Sequence, residues 1–386
     1  MSVTPQNIHA TPLSQPVLRQ ARDLWQSGKL IVFPTETVYG IGCAATNDVG
    51  WHALEAFHPG AAEKNFTLHL GDIEHACQWM SFQSPILKRF LQKLWPGPVT
   101  IELPLKDHHL DALRQYVPQG SMLEKQLLRQ RILSLRVPAH DVVRQLLRTL
   151  NQPVAATGIA VQDASQMVPA CDAQMAQKAA ADAAEIIIDA GPCRFSKPST
   201  TIRVQVIHGW PQWTMVRQGV YDDRTMRKLT RWNLLLVCTG NTCRSPMAQG
   251  LAQSLLAQRL GLAPDDLPAA GIHISSAGVF ASNGVPASTQ AVEALATMQV
   301  DISKHRSRGL SLQMLEEADV IYCMTRSHQH ALLQMLETKP QSENKVLLLD
   351  PQKDIQDPIG GSTQDYIRCA RQIQQALETR LQEWQS

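Results

Sequence analysis

The chain has 386 residues, 44% of them hydrophobic, and a formal net charge of +2. That length asks for two domains, and the near-neutral balance excludes a large electrostatic footprint for nucleic acid or a membrane surface. Eight cysteines without a Cys-x2-Cys pair argue against a zinc site; with no membrane-spanning apolar run and no signal-peptide pattern, the reading is a soluble, cytoplasmic protein with reduced thiols.

In chain order, residues 16–27 read as a helix ended by Gly28-Lys29, and Leu30 to Phe33 as a short buried strand. The loop Pro34-Thr35-Glu36-Thr37-Val38-Tyr39-Gly40 follows; it could present hydroxyls and amides to a ligand, or be only a turn. Leu94 to Thr100 leads into an apolar run ending at Leu103, and Ile132 to Pro138 is a strand carrying one basic residue, Arg136. Residues 140–150 read as a helix with Val142, Val143, Leu146 and Leu147 on its apolar face. A strand from Pro153 to Ala156, an Ala-rich helix over 172–184 and a strand from Ile186 to Asp189 come next; Pro198 to Arg203 and Met215 to Gly219 close the segment. This alternation predicts an α/β domain over 10–221. Residues 222–231 are polar, without apolar periodicity, and read as a linker to a second domain over 232–386. Arg224, Arg227, Lys228 and Arg231 in that linker read as a solvated connector rather than an RNA contact.

The second half is organised around Trp232 to Ala248. Leu234 to Val237 is a buried strand, a seven-residue loop runs from Cys238 to Arg244, and Ser245 and Pro246 read as N-cap and first helical residue. Met247, Leu251 and Leu255 recur at helical spacing behind them. Ile272 to Ser276 is a strand, 286–298 a helix, Ala318 to Thr325 a helix end and strand, 327–337 a helix, and Val346 to Leu349 a fourth strand. A loop containing Asp357-Pro358-Ile359-Gly360-Gly361 precedes a terminal helix over 364–384. Four strands, each followed by a helix, predict a four-stranded parallel, Rossmann-like sheet with helices on both faces, and ligand at the strands' carboxyl ends, where Cys238 falls.

Strand, tight loop and helix N-terminus make an anion site. A thiol there, beside an arginine, should be largely thiolate. Arg244 can hold two phosphoryl oxygens bidentately. Gly240 would let the backbone curl and Asn241 would fix the loop, with Thr239, Thr242 and Cys243 completing a phosphate-binding loop. Ser245 could donate to the sulfur and ease its departure. Asp357, in its glycine-rich loop, is the candidate general acid and later base. Cys243 could close a reversible disulfide with Cys238, or simply pack. Cys43, Cys77, Cys171 and Cys193 read as buried or incidental, and His273, His305, His328 and His330 show no pairing that suggests a metal.

These motifs carry two resemblances. Roughly residues 15–221 resemble the threonylcarbamoyl-AMP synthase (YrdC-like) family, through FPTETVYG (33–40), LWPGPVT (94–100), SLRVP (134–138), PSTTIR (198–203) and VRQG (216–219). The resemblance implies a twisted α/β domain around a concave basic pocket. It implies condensation of threonine, bicarbonate and ATP (with Mg) into threonylcarbamoyl-AMP, with release of pyrophosphate, and it brings in RNA as a partner because the product feeds a tRNA modification. By position Thr35 and Tyr39 would line the substrate pocket, and Arg136, Ser199 and Arg217 would face nucleotide and phosphates. The sequence departs from the pattern twice. The family's Lys-x-Arg-Pro reads Ala56-Phe57-His58-Pro59, with Lys64 displaced, and the region of its Ser-Ala-Asn segment reads Ala155 to Ala160 without the Ser or the Asn. Each lost charge-assisted phosphate contact should cost about 1.5–3 kcal/mol. Two readings follow: an impaired synthase, or a non-catalytic nucleotide- or RNA-binding module that regulates the other half. His58 stands either as a pH-dependent replacement for arginine or as a surface histidine.

Residues 233 to about 384 resemble the low-molecular-weight protein tyrosine phosphatase family, through VCTGNTCRSPMA (237–248), SSAGVFAS (275–282), ADVIYCMT (318–325) and DPIGGS (357–362). By position Cys238 would be the nucleophile, Arg244 the phosphate ligand and Asp357 the general acid, acting on a phosphorylated protein without a cofactor. The loop looks most like that of the arginine phosphatase branch, since Thr242 leaves room and polarity for a guanidinium. No aromatic residue follows Asp357-Pro358 to clamp a phosphotyrosine ring, although Ile359 departs from the phenylalanine usual in the arginine branch. Phosphoarginine is therefore expected over phosphotyrosine.

Overall fold

The structure, a computed structural model, describes residues 6–9, 13–58, 65–80, 84–163, 166–180, 182–337 and 344–384; Pro59 and Lys64 lie outside the described residues. The chain divides into two units, with the main boundary between Leu229 and Thr230.

Up to the division the elements run β1 (Gln6–His9), α1 (Gln15–Gln26), β2 (Leu30–Phe33), β3 (Gly40–Ala44), α2 (Asp48–Phe57), β4 (Thr67–His69), α3 (Ile73–Gln78), α4 (Pro85–Leu94), β5 (Val99–Pro104), α5 (Asp107–Leu113), α6 (Met122–Gln130) and β6 (Ile132–Arg136). They continue with α7 (Asp141–Leu147), β7 (Val154–Gly158), β8 (Ala160–Asp163), β9 (Gln166–Pro169), α8 (Ala173–Ala180), β10 (Ala184–Asp189), β11 (Thr200–Ile207), β12 (Trp210–Arg217) and α9 (Asp223–Thr230). Ten strands form one mixed sheet in the order β1-β10-β2-β3-β7-β4-β6-β5-β11-β12, and β8 and β9 form a separate antiparallel ribbon. Every residue of β2 is buried because the sheet is covered on both faces: Leu30 and Val32 join the core with Trp51 and Leu54, while Ile31 and Phe33 join the one with Trp25 and Val143. A doubly covered strand reads as a continuous apolar run rather than an alternation.

Within residues 222–231, read as a polar linker, the chain forms helix α9. Met226 is fully buried in the first unit's core, Leu229 packs against that core, and the Arg227 guanidinium lies 5.6 Å from the centre of the Trp213 ring. Two apolar residues seat this short helix while its other positions are polar or charged, so no period shows in the sequence.

The second unit contains β13 (Trp232–Cys238), α10 (Arg244–Leu260), β14 (Ile272–Gly278), α11 (Thr289–Ala296), α12 (Leu312–Glu317), β15 (Val320–Cys323), α13 (Arg326–Leu336), β16 (Val346–Leu348) and α14 (Thr363–Glu383). Its sheet has the order β14-β13-β15-β16 and is parallel throughout. Leu235, Val237, Ile321 and Cys323 pack with Leu315 of α12 and with Leu332 and Leu336 of α13. The alternate residues Trp232 and Tyr322 meet Trp384, just past α14. Helices thus cover both faces, and the chain passes from β13 to β14 on one side of it and then returns to β15 on the other. The carboxyl end of β13 is the switch point where such sheets bind ligands, and Cys238 is its last residue. No helix of the described residues is long and apolar enough to cross a membrane.

Candidate active site

Cys238 ends β13 with its side chain almost wholly buried. Its Sγ accepts a hydrogen bond from the Asn241 N–H at 3.2 Å and lies 3.0 Å from the Ser245 hydroxyl. The Asn241 amide donates to Ser245 Oγ at 2.8 Å, and that hydroxyl's own proton has the sulfur at 3.0 Å and the Ala277 carbonyl at 3.4 Å as acceptors. Ser245 is not the N-cap: α10 starts at Arg244 with Cys243 as the cap residue. Ser245 sits inside the first turn because its side chain is drawn to the thiol instead of to a helix N–H.

Asn241 organises the loop. It adopts φ +54, a left-handed conformation that Asn tolerates better than most residues. Gly240, expected to supply the curl, is not among the residues with positive φ. The fully buried Asn241 amide also donates to Ser276 Oγ at 2.9 Å, and its Oδ1 accepts from the Arg308 N–H at 2.9 Å. The close backbone approach falls at Gly278, where a Cβ would lie 2.5 Å from the Thr239 carbonyl oxygen. Two histidines brace the loop from outside: His305 Nε2 lies 2.9 Å from the Asn241 carbonyl oxygen and His328 Nε2 lies 2.8 Å from Thr239 Oγ1. Burial holds both imidazoles below their ordinary value, His328 at about 4 with the Arg244 guanidinium adding to the effect. Nothing in the sequence marks these two residues, because their partners are 64 and 89 positions away.

Arg244, 5% exposed, turns its Nη2 to Asp357 Oδ2 at 2.5 Å and to Thr239 Oγ1 at 3.4 Å, while Nη1 donates to the Ile355 carbonyl at 3.4 Å. Asp357 comes from the loop before α14, and its Oδ1 accepts from the Ile359 N–H at 3.3 Å. The structure therefore brings Cys238, Arg244, Ser245 and Asp357 to one place. Thr242 is half-buried, and its hydroxyl makes only a long contact, 3.6 Å to Cys243 Sγ, among the described residues. Cys243 Sγ is enclosed by Tyr366 OH at 3.3 Å and Ser288 Oγ at 3.4 Å, and both it and Cys238 are free thiols. Phe280, 83% exposed, donates its backbone N–H to the Thr239 carbonyl, and Ile359 is 71% exposed, so the two most exposed large apolar side chains described both belong to segments bonded to this site. The remaining second-unit cysteines, Cys323 and Cys369, are pushed up to about 12 by burial.

In the first unit a cavity of about 490 Å³ is lined by Thr35, Arg136, Ser199 and Arg217, and also by His58, His69, Gly158 and Ala160. Tyr39 does not line it. Its ring is fully buried and its hydroxyl donates to the Gly191 carbonyl at 2.8 Å. Arg136, 4% exposed, donates through Nη2 to Glu36 Oε1 and Thr37 Oγ1, both at 2.9 Å. Arg136 Nε and Glu36 Oε2 are buried with no hydrogen-bond partner among the described residues. Arg217 donates to the Ser199 carbonyl at 3.0 Å and to Ser199 Oγ at 3.2 Å. The sequence departures fall on the cavity wall: His58 follows α2, and Gly158 and Ala160 lie at the junction of β7 and β8.

His69 lies in the same wall, 6% exposed, and burial together with Arg136 pulls it down to about 3. An unfolded chain takes up this proton near pH 6.5 and the folded one refuses it down to about 3. The contribution to stability is complete above pH 6.5 and is lost as pH falls through that window, by about 1.4 kcal/mol per pH unit at most. His69→Asn should flatten the slope of unfolding free energy between pH 6.5 and 4, read by denaturant titration at several pH values. An unchanged slope would mean that His69 takes up its proton in the folded state.

Compared with known proteins, the Sua5_yciO_yrdC family model, described as telomere recombination, matches residues 23–219, and the low molecular weight phosphotyrosine protein phosphatase model matches residues 233–386. The protein-arginine-phosphatase of Bacillus subtilis (strain 168) is 34% identical over 150 residues, covering 38% of this chain and 91% of that protein. The probable low molecular weight protein-tyrosine-phosphatase EpsP of Ralstonia nicotianae is 32% identical over 145 residues, covering 38% of this chain and 90% of that protein. The threonylcarbamoyl-AMP synthase of Bacillus subtilis (strain 168) is 29% identical over 143 residues, which are 37% of this chain and span 38% of that relative's length.

Proposed function

The chain belongs to the Sua5_yciO_yrdC family and carries a low molecular weight phosphatase, a hydrolase, in its second half, and from that premise we propose a cytoplasmic protein phosphatase that works through a cysteinyl-phosphate and prefers phosphoarginine. The carrying observation is the convergence on Cys238 Sγ of the Asn241 N–H and the Ser245 hydroxyl, with Arg244 paired to Asp357 alongside. Phosphoryl oxygens of the substrate take the place of the Asp357 carboxylate on Arg244; Cys238 attacks phosphorus as thiolate, forming the S–P bond as the P–N bond breaks, and Asp357, released from Arg244 and protonated, gives its proton to the departing guanidine. Arg244 and the loop amides hold the phosphoryl oxygens. Water then attacks, yielding its proton to the Asp357 carboxylate, while the S–P bond breaks toward a sulfur that the Ser245 hydroxyl stabilises.

The preference for phosphoarginine rests on Thr242, whose hydroxyl keeps acceptor capacity for a guanidinium N–H. Phosphotyrosine is the second reading, favoured by the exposed Phe280 at the loop. Thr242→Ile should move the ratio of kcat/KM for phosphoarginine against phosphotyrosine peptides toward phosphotyrosine by about tenfold or more. A ratio that does not move would remove Thr242 from the selection.

For the first half we propose a threonylcarbamoyl-AMP synthase-like pocket for ATP and threonine, supported by Thr35, Arg136, Ser199 and Arg217 around one cavity. The second reading, a nucleotide- or RNA-binding module that regulates the phosphatase without turnover, is supported by His58, Gly158 and Ala160 in that wall. Incubation with ATP, threonine and bicarbonate should release pyrophosphate and threonylcarbamoyl-AMP if synthesis survives. ATP binding without product selects the second reading, and neither binding nor product sinks the synthase reading.

A further inference from the structure

Among the buried titratable groups outside the reacting set, His328 is tied most directly to the phosphate loop. The ring is 6% exposed and both nitrogens are engaged, Nε2 with Thr239 Oγ1 and Nδ1 with Thr325 Oγ1, each at 2.8 Å. Thr239 Oγ1 also receives Arg244 Nη2 at 3.4 Å. We propose that His328 is a positioning residue: it fixes the Thr239 hydroxyl, which in turn sets the Arg244 guanidinium against the oxygens of the transferred phosphoryl group. The proposal rests on the phosphatase reading of Cys238 and Arg244.

The donors and acceptors form a consistent chain. A guanidinium only donates, so Thr239 Oγ1 accepts from Arg244 and has one proton left for His328 Nε2. A neutral imidazole with Nε2 accepting carries its hydrogen on Nδ1, which then donates to Thr325 Oγ1; this tautomer is assigned from the network. Thr325 is the N-cap of α13: its Oγ1 also accepts from the His328 backbone N–H at 3.3 Å, and its own proton can go to Ser327 Oγ at 2.8 Å. Burial and Arg244 both oppose a positive charge on the ring, which keeps the acceptor on Nε2. Without this bond the exposed Thr239 side chain, next in sequence to the nucleophile, is free to rotate and leaves Arg244 one fewer partner.

The full chain is tested with p-nitrophenyl phosphate as substrate and with orthovanadate and inorganic phosphate as inhibitors. His328→Ala should lower kcat about 10- to 100-fold with little change in KM. It should weaken orthovanadate, which mimics the five-coordinate transition state, in proportion, and phosphate much less. Thr239→Val should match it, and the double variant should be no worse than the poorer single one, because both remove one bond. His328→Gln, whose amide reaches the Nε2 position, should recover most of the loss, and it and Thr239→Val carry the test if His328→Ala does not fold. An unchanged kcat in folded variants, losses that multiply in the double variant, or equal impairment of the Ala and Gln variants overturns the proposal. A wild-type chain without Cys238-dependent turnover overturns the phosphatase reading and this proposal together, whereas normal wild-type turnover with any of the preceding outcomes overturns this proposal alone.

Discussion

Cys238→Ser should lower kcat for an aryl phosphate about ten-thousand-fold or more while the protein melts where the parent does. The size follows from removing a covalent nucleophile from a set of groups that act as a unit. A serine hydroxyl ionises far less readily than a thiol, so the bond to phosphorus no longer forms at neutral pH. The fold should hold because the smaller Oγ can keep the Asn241 N–H and Ser245 as partners, and the buried site at the end of β13 gains no unpaired polar atom. The measurement is steady-state turnover beside thermal unfolding. Turnover within about a hundredfold of the parent would remove Cys238 as nucleophile.

Asp357→Asn should cost about 10²- to 10⁴-fold in kcat, the range for a lost general acid, and the loss should grow as the leaving group becomes more basic. Phenyl phosphate and a phosphoarginine peptide should therefore suffer more than p-nitrophenyl phosphate, whose phenolate leaves with little help. The substitution also breaks the 2.5 Å pair with Arg244. The Arg244 side chain is 6% exposed but that of Asp357 is 41% exposed, and an amide oxygen can still accept from the guanidinium, so the lost charge costs about 1 kcal/mol and the melting temperature should move little. An equal loss for every leaving group would make Asp357 an anchor for Arg244 and not a proton donor.

Part of this could be read residue by residue. The buried strand over Leu30 to Phe33, the strand over Leu234 to Val237 and the four-stranded parallel sheet all follow from apolar runs punctuated by loops and helices, and such signals are local. The loop from Cys238 to Arg244 is equally local, with nucleophile, polar loop and guanidinium lying within one strand-to-helix turn. Asp357 could be named from its Pro- and Gly-bounded loop, but its distance to Arg244 could not. Helix α9 leaves no such signal because only Met226 and Leu229 meet the core, too few to set a period.

The chain by itself determined which chemistry is on offer: a thiol, a guanidinium and a carboxylate in one half, and a set of hydroxyls and arginines lacking the usual Lys-x-Arg and Ser-x-Asn in the other. Tertiary structure alone decided which neighbours complete each group. It moved Tyr39 away from the cavity and onto the Gly191 carbonyl, put Ser245 inside the first helical turn rather than at the cap, gave the left-handed turn to Asn241, and brought His305 and His328 against a loop far from them in sequence. One physical reason covers the long-range contacts. Periodicity and turn chemistry are set by neighbours along the chain, whereas a hydrogen bond between residues dozens of positions apart exists only once the sheet has fixed where its strands end.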